Sequence, residues 1–164
     1  MAQAARDLGA LIAYEHWRLV YGAGDVGLMG TVAESAQAHG ATTLGVIPQH
    51  LVLRERPRAG LSTLIMTENM HERKKVMFMN ADAIVVLPGG AGTLDEFFEV
   101  LTWRQIGLHE KPIFVLDIAG FWTPLKGLID HVIAQGFADA SLADFVTFAP
   151  DVADLAPRLR AALG

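Results

Sequence analysis

The chain has 164 residues, 52% hydrophobic and 19% charged, with a formal net charge of -5 and no cysteine. That length suits one domain with a sizeable core, and the missing thiols exclude disulfides, thiol catalysis and cysteine-ligated metals. The acidic balance offers nucleic acid and anionic membranes no general attraction.

The opening MAQAARDLGALIAYEH lacks the basic region and cleavage site of a signal peptide. No apolar run approaches the roughly 18 residues of a spanning helix. A soluble protein with a cytoplasmic location is therefore expected, without membrane or nucleic-acid partners. Helical patterning begins at about Gln3 and runs to Tyr14, with no strand before it. Sheets of the doubly wound class usually begin with a central strand. Either Met1 is an internal or miscalled start or the domain does without that strand, and the winding of such sheets favours the first.

Four continuous aliphatic runs follow: RLVYG (18–22), TTLGVIP (42–48), AIVVLPG (83–89) and PIFVLD (112–117). Their lack of alternation suits strands buried on both faces of a parallel sheet. Helices are predicted over Thr31–His39, stopped by Gly40, then over Asn69–Ala81 and Thr93–Leu108. Two more follow, Pro124–Gln135, stopped by Gly136, and Val152–Leu163. HLVLRERPRAG (50–60) is the longest irregular stretch and is charged where its surroundings are not. The order predicts an α/β domain over 1–164, a doubly wound Rossmann-like parallel sheet with helices on both faces and its first strand missing.

Two glycine-rich loops stand where strands hand over to helices. In YGAGDVGLMG, Gly22, Gly24 and Gly27 spell GxGxxG, whose glycines let backbone approach a phosphate at a helix N-terminus. A dinucleotide site also needs an acid at the end of the next strand, and that strand ends VIPQH. A nucleoside monophosphate or another phosphorylated ligand is the better reading, with a purely structural turn as the rival. In PGGAGTLDE, Thr93-Leu-Asp-Glu96 matches a capping box, in which threonine caps and glutamate reaches back. A cap needs no glycines before it, whereas an anion site is served by Gly89, Gly90 and Gly92. Both readings hold if Thr93 caps and Glu96 faces a ligand.

In NMHERKK (69–75), Arg73 and Lys74 share a helical face with Met70 and Met77. A guanidinium on an inward face requires an anionic partner. Glu96 is the natural candidate, and a bound ligand is the other.

Taken together, YGAGDVGLMG, VIP, NMHERK, LPGGAGTLDE and EVLTWRQIGLHEKPI resemble the Lonely Guy (LOG) family, cytokinin riboside 5′-monophosphate phosphoribohydrolases often mislabelled lysine decarboxylases. The resemblance spans about Arg6 to Ala138. It implies Arg73 and Glu96 as the catalytic pair. It also implies Lys74, Gly24, Gly27, Gly89, Gly90, Gly92 and Thr93 as substrate- or phosphate-contacting positions, with Glu55 and Thr102 also touching substrate. The family opens with a strand and a CGSS-like loop that this sequence lacks, and Ala23 and Asp25 stand in a loop that often reads GGGN.

The implied reaction is hydrolysis of the N-glycosidic bond of a cytokinin riboside or AMP-like 5′-monophosphate, with neither cofactor nor metal. Scattered histidines, with no HExxH spacing, argue against a metal hydrolase. The rival from another class is a non-catalytic nucleotide or cofactor carrier, which needs the glycine loops but not the arginine and glutamate pair. The helix LDEFFEVLTWRQIGL is apolar nearly all round. One side should meet the sheet and another a second subunit, so a homodimer is expected.

Overall fold

The computed structural model describes residues 1–164 and divides into two compact units, Met1–Ala81 and Asp82–Gly164. The first unit runs α1 (Ala2–Tyr14), β1 (Arg18–Tyr21), α2 (Gly27–Ala38), β2 (Thr42–Pro48), α3 (Val52–Glu55), β3 (Thr63–Thr67) and α4 (Met70–Met79). Its three strands pair in parallel in the order β1-β2-β3, with Tyr21 opposite Gly45 and Pro48 opposite Thr67. The central strand is buried from Thr43 to Pro48, which is why its sequence is apolar without alternation. Thr43 and Ser62 pin the start of β3 reciprocally: Thr43 N donates to Ser62 Oγ at 3.0 Å and Ser62 N to Thr43 Oγ1 at 3.2 Å. Because all three strands run the same way, the loops that follow them gather at one end of the sheet, where ligands of open α/β sheets bind.

The second unit repeats the scheme with β4 (Ile84–Val86), α5 (Ala91–Gln105), β5 (Ile113–Leu116), α6 (Thr123–Ala134), β6 (Val146–Ala149) and α7 (Val152–Leu163). Its sheet has the parallel order β4-β5-β6, and every residue of β5 is buried. The α/β class and the parallel pairing are as the sequence predicts. The hydrogen bonds divide the six strands into two three-stranded sheets. No helix is long and apolar enough to cross a membrane.

Two strands lie outside the four predicted runs. β3 is an edge strand that leaves Leu64 and Met66 exposed between threonines, so its composition lacks the signature of a doubly buried strand. β6 is four residues long and directly follows a 3-10 turn (Ala140–Phe145).

The last residue of β1 carries an unusual group. Tyr21 is 5% exposed and its hydroxyl has no hydrogen-bond partner. Burial pushes the phenol up to about 12, opposed by the nearby charge of Arg58 and reinforced by Asp25. An unpartnered buried hydroxyl destabilises the fold, so Tyr21→Phe should raise stability by about 1 kcal/mol at pH 7. The folded pKa lies above the unfolded value, so the phenol's contribution is intact below pH about 10 and is lost as pH rises toward about 12. Urea titrations of both proteins check this. The advantage of the phenylalanine variant should widen across that window, and a constant difference would contradict the assignment.

Candidate active site

The site in the first unit is organised by α4. Asn69 caps this helix, its Oδ1 accepting from Glu72 N at 2.9 Å, while Glu72 Oε2 accepts from Glu68 N at 2.9 Å. This N-terminal lock sets the phase of the helix and turns Arg73 and Lys74 inward, to 5% and 9% exposure. Arg73 Nη2 donates to Gly22 O at 2.7 Å and to Glu55 Oε2 at 2.9 Å, and Nε donates to Val46 O at 3.1 Å. The remaining edge, Nη1, faces the sulfur of Met70 at 3.8 Å rather than an oxygen. The sequence offers Glu96 or a bound ligand as the anion that answers the burial of this cation; within the first unit the structure supplies a third group, the Glu55 carboxylate. Carboxylate and guanidinium come from a one-turn helix and a loop-separated α4, so no periodicity in the sequence links them.

The first glycine loop is shaped by that guanidinium. A β-carbon at Gly22 would stand 2.1 Å from Arg73 Nη2, so only glycine lets the charge pack on the strand end. Gly24 is buried and its N–H donates to Gly22 O at 2.9 Å, while Asp25 N donates to Glu55 O at 3.3 Å. These loop amides are therefore engaged within the protein. The donors free of helical partners begin at Gly27, where α2 starts without a side-chain cap and Gly30 N is the first to bond back, to Val26 O.

In the second unit α5 starts earlier than the capping box implies. Its N-cap is Gly90, no side chain caps it, and Ala91 is the first helical residue. Thr93 thus lies at the third helical position and is not the cap; its hydroxyl lies where a β-carbon on Gly89 would come within 2.1 Å. The Pro88-Gly89-Gly90 turn, with Gly90 extended at φ -105 and ψ -150, brings the chain into the helix before the threonine is reached. The first amide to bond back is Leu94 N, to Gly90 O at 3.1 Å, which leaves the N–H groups of Ala91, Gly92 and Thr93 outside the helical ladder. Apart from their chain neighbours and the backbone of the helix itself, nothing lies within 4 Å of β-carbons built on Gly90 or Gly92. An uncapped helix N-terminus flanked by such glycines is suited to an anionic group. Glu96, half-buried, sits in the second turn. Thr102 is set apart. It is exposed and lines a shallow recess of about 400 Å³ with Asp95, Phe98, Glu99 and Trp103, and helical geometry turns it about 120° away from Glu96.

Residues 29–159 match a family model described as possible lysine decarboxylase. The chain is 42% identical, over 92% of its length and 76% of the relative's, to a cytokinin riboside 5′-monophosphate phosphoribohydrolase of Rhodococcoides fascians. It is 36% identical, over 95% of its length and 73% of the relative's, to the phosphoribohydrolase LOG3 of Arabidopsis thaliana. The chain belongs to the Lonely Guy family. Solved structures with the same fold include the molybdenum cofactor carrier protein of Chlamydomonas reinhardtii, at a TM-score of 0.75 and 23% identity over 99% of this chain and 87% of that one. The molybdenum cofactor binding protein of Rippkaea orientalis scores 0.72 at 21% identity, over 99% and 88%. At those identities the likeness concerns the fold alone.

Within this LOG-family chain, the structure brings together Gly22, Gly24, Glu55 and Arg73 in the first unit. It places Gly89, Gly90, Gly92, Thr93 and Glu96 at the start of α5 in the second. Sequence reasoning missed Arg58, whose guanidinium pairs with Asp25 of the first glycine loop. An acid in the first glycine loop and the excess of arginines in the charged stretch 50–60 were the available signal.

Proposed function

We propose that this protein hydrolyses the N-glycosidic bond of cytokinin riboside 5′-monophosphates and AMP-like nucleotides, releasing the free base and ribose 5-phosphate. The observation that carries this reading is the buried Arg73, held by three oxygens on two of its nitrogens while Nη1 faces only a sulfur. A carrier needs glycine loops but has no need of a buried cation locked to a carboxylate; a nucleotide hydrolase uses one to hold phosphate or to orient an acid. In the reaction, the bond between the sugar's anomeric carbon and the base nitrogen breaks. Water adds its oxygen to that carbon, and its proton ends on the departing base. The sugar passes through an oxocarbenium-like state that the Glu96 carboxylate stabilises while orienting the water. The α5 N-terminus, with Gly89, Gly90, Gly92 and Thr93, is suited to a phosphate; in the first unit, Lys74 and the α2 N-terminus at Gly27 are the phosphate-binding candidates. Gly24 and Glu55 complete the assignment as substrate-contacting positions, Thr102 being turned away from Glu96, and the chain works as a single nucleotide-binding domain in the cytoplasm.

Incubation with AMP, dAMP, GMP and N6-isopentenyl-AMP, followed by chromatography of free base, tests the reading. Release from isopentenyl-AMP and AMP is expected; no release from any of the four would overturn it.

The working form is a homodimer. Phe97, Val100 and Leu101 of α5 are buried within the chain, whereas Phe98 and, just past the helix, Ile106 and Leu108 remain exposed. Such a helix favours a second apolar surface. Light scattering at micromolar concentration should give twice the chain mass, and a monomer would contradict this.

A further inference from the structure

We propose that Arg58 is a positioning residue that straps residues 55–59 onto the first glycine loop and so holds the Glu55 carboxylate against Arg73. The proposal rests on the functional reading above and extends it to a residue with no place in the catalytic pair.

The segment needs such a strap. Glu55 ends α3, a helix of four residues, too short to be stable by itself. The next residue, Arg56, has φ 46 and ψ 94, a backbone conformation that L-residues avoid and that persists only where the surroundings over-determine it. The restraints converge on Arg58. Its main-chain N donates to Ala23 O at 2.9 Å, and Pro57 bridges antiparallel to Gly24. Its guanidinium uses each nitrogen differently: Nη1 on Asp25 Oδ1, Nε on Gln37 Oε1, and Nη2 near Glu34 Oε1 at 3.9 Å. Gln37 closes the clamp from its other end, Nε2 donating to Ala59 O at 3.2 Å.

The Arg58 side chain is 22% exposed and Asp25 is 47% exposed, so the strap draws on several acceptors together and not on the strength of one ion pair. Arg58 lies three residues beyond Glu55, whose carboxylate is 23% exposed and would swing toward solvent if the segment lifted. The same movement would withdraw the Glu55 carbonyl from Asp25 N.

The test compares Arg58→Ala, Arg58→Lys, Glu55→Ala and the Arg58→Ala/Glu55→Ala double variant, using isopentenyl-AMP or AMP as substrate. Arg58→Ala should lower kcat/KM about tenfold, since small displacements of a positioned group have effects of that order or larger. Arg58→Lys, which keeps a cation opposite Asp25 but cannot serve Gln37 and Asp25 together as the guanidinium does, should recover only part of the loss. The double variant should be no worse than Glu55→Ala alone, because Arg58 acts through Glu55. Amide exchange at residues 53–56 should accelerate in Arg58→Ala while α2 and α4 keep their protection. Wild-type kcat/KM in Arg58→Ala, or independent multiplication of the two losses, would overturn the proposal. If Arg58→Ala does not fold, Gln37→Ala loosens the same clamp and should show the same exchange and a smaller loss of rate; the absence of both effects would overturn the strap. If the wild-type protein releases no base, the functional reading fails. The exchange measurement then decides the strap by itself, unchanged exchange refuting it.

Discussion

Glu96→Gln should lower kcat for free-base release by roughly 10³-fold, within the range for loss of a positioned acid-base group, while leaving the helix that carries it in place. Glutamine matches glutamate in shape and removes only the charge that an oxocarbenium-like sugar would meet. The geometry of α5 makes the substitution readable. The helix starts at Ala91 with Gly90 as its N-cap, so Glu96 is in the second turn and not at the third position of a capping box. A capping role would make the variant lose helix stability along with activity. The expected result is instead a fall in kcat out of proportion to any change in melting temperature, with KM within a few-fold of wild type, the pattern of an interaction made mainly in the transition state. Turnover within twofold of wild type would remove Glu96 from the mechanism.

Much of this was legible in the residues, and the parts that were not share a cause. Strands β2 and β5 were readable because burial on both faces demands uninterrupted aliphatic runs, and β1 and β4, part-buried edge strands, carry short aliphatic runs all the same. β3 was not, since an edge strand exposing Leu64 and Met66 carries no such demand. The inward face of α4 followed from Met70 and Met77 flanking Arg73 at helical spacing, and the burial of Arg73 and Lys74 agrees with it. What one-dimensional spacing could not supply was the partner. Glu55 reaches Arg73 only because Arg56 to Arg58 fold back on the first glycine loop, a path fixed by side-chain contacts to Asp25 and Gln37. The capping box at Thr93 failed for a related reason. A local four-residue pattern was outweighed by the turn before it, whose glycines let the helix begin three residues earlier. Asn69 and Glu72 make the cap of that general kind on α4 instead.

Arg73→Ala should abolish detectable base release and also cost stability, toward the lower end of the roughly 3–5 kcal/mol typical of breaking a buried pair, because Glu55 keeps some access to water. The variant removes the donor for Glu55 Oε2, Gly22 O and Val46 O at once, so loss of activity in it does not separate catalysis from folding. Two further substitutions make that separation. Arg73→Lys keeps the charge but not the planar fork, and a single ammonium cannot serve three acceptors placed for Nε and Nη2; a folded protein with kcat/KM about 10²-fold lower is expected. Gly22→Ala leaves Arg73 intact and places a β-carbon 2.1 Å from Nη2, so the guanidinium must move off the strand end while its charge stays buried. If the position of the cation is what the reaction uses, Gly22→Ala should fall with Arg73→Lys, losing rate out of proportion to its change in melting temperature. If charge alone suffices, both should retain near-wild-type kcat/KM. Gly22 would then be glycine only because the fold packs an arginine against it, and the case for Arg73 in the chemistry would rest on family membership alone.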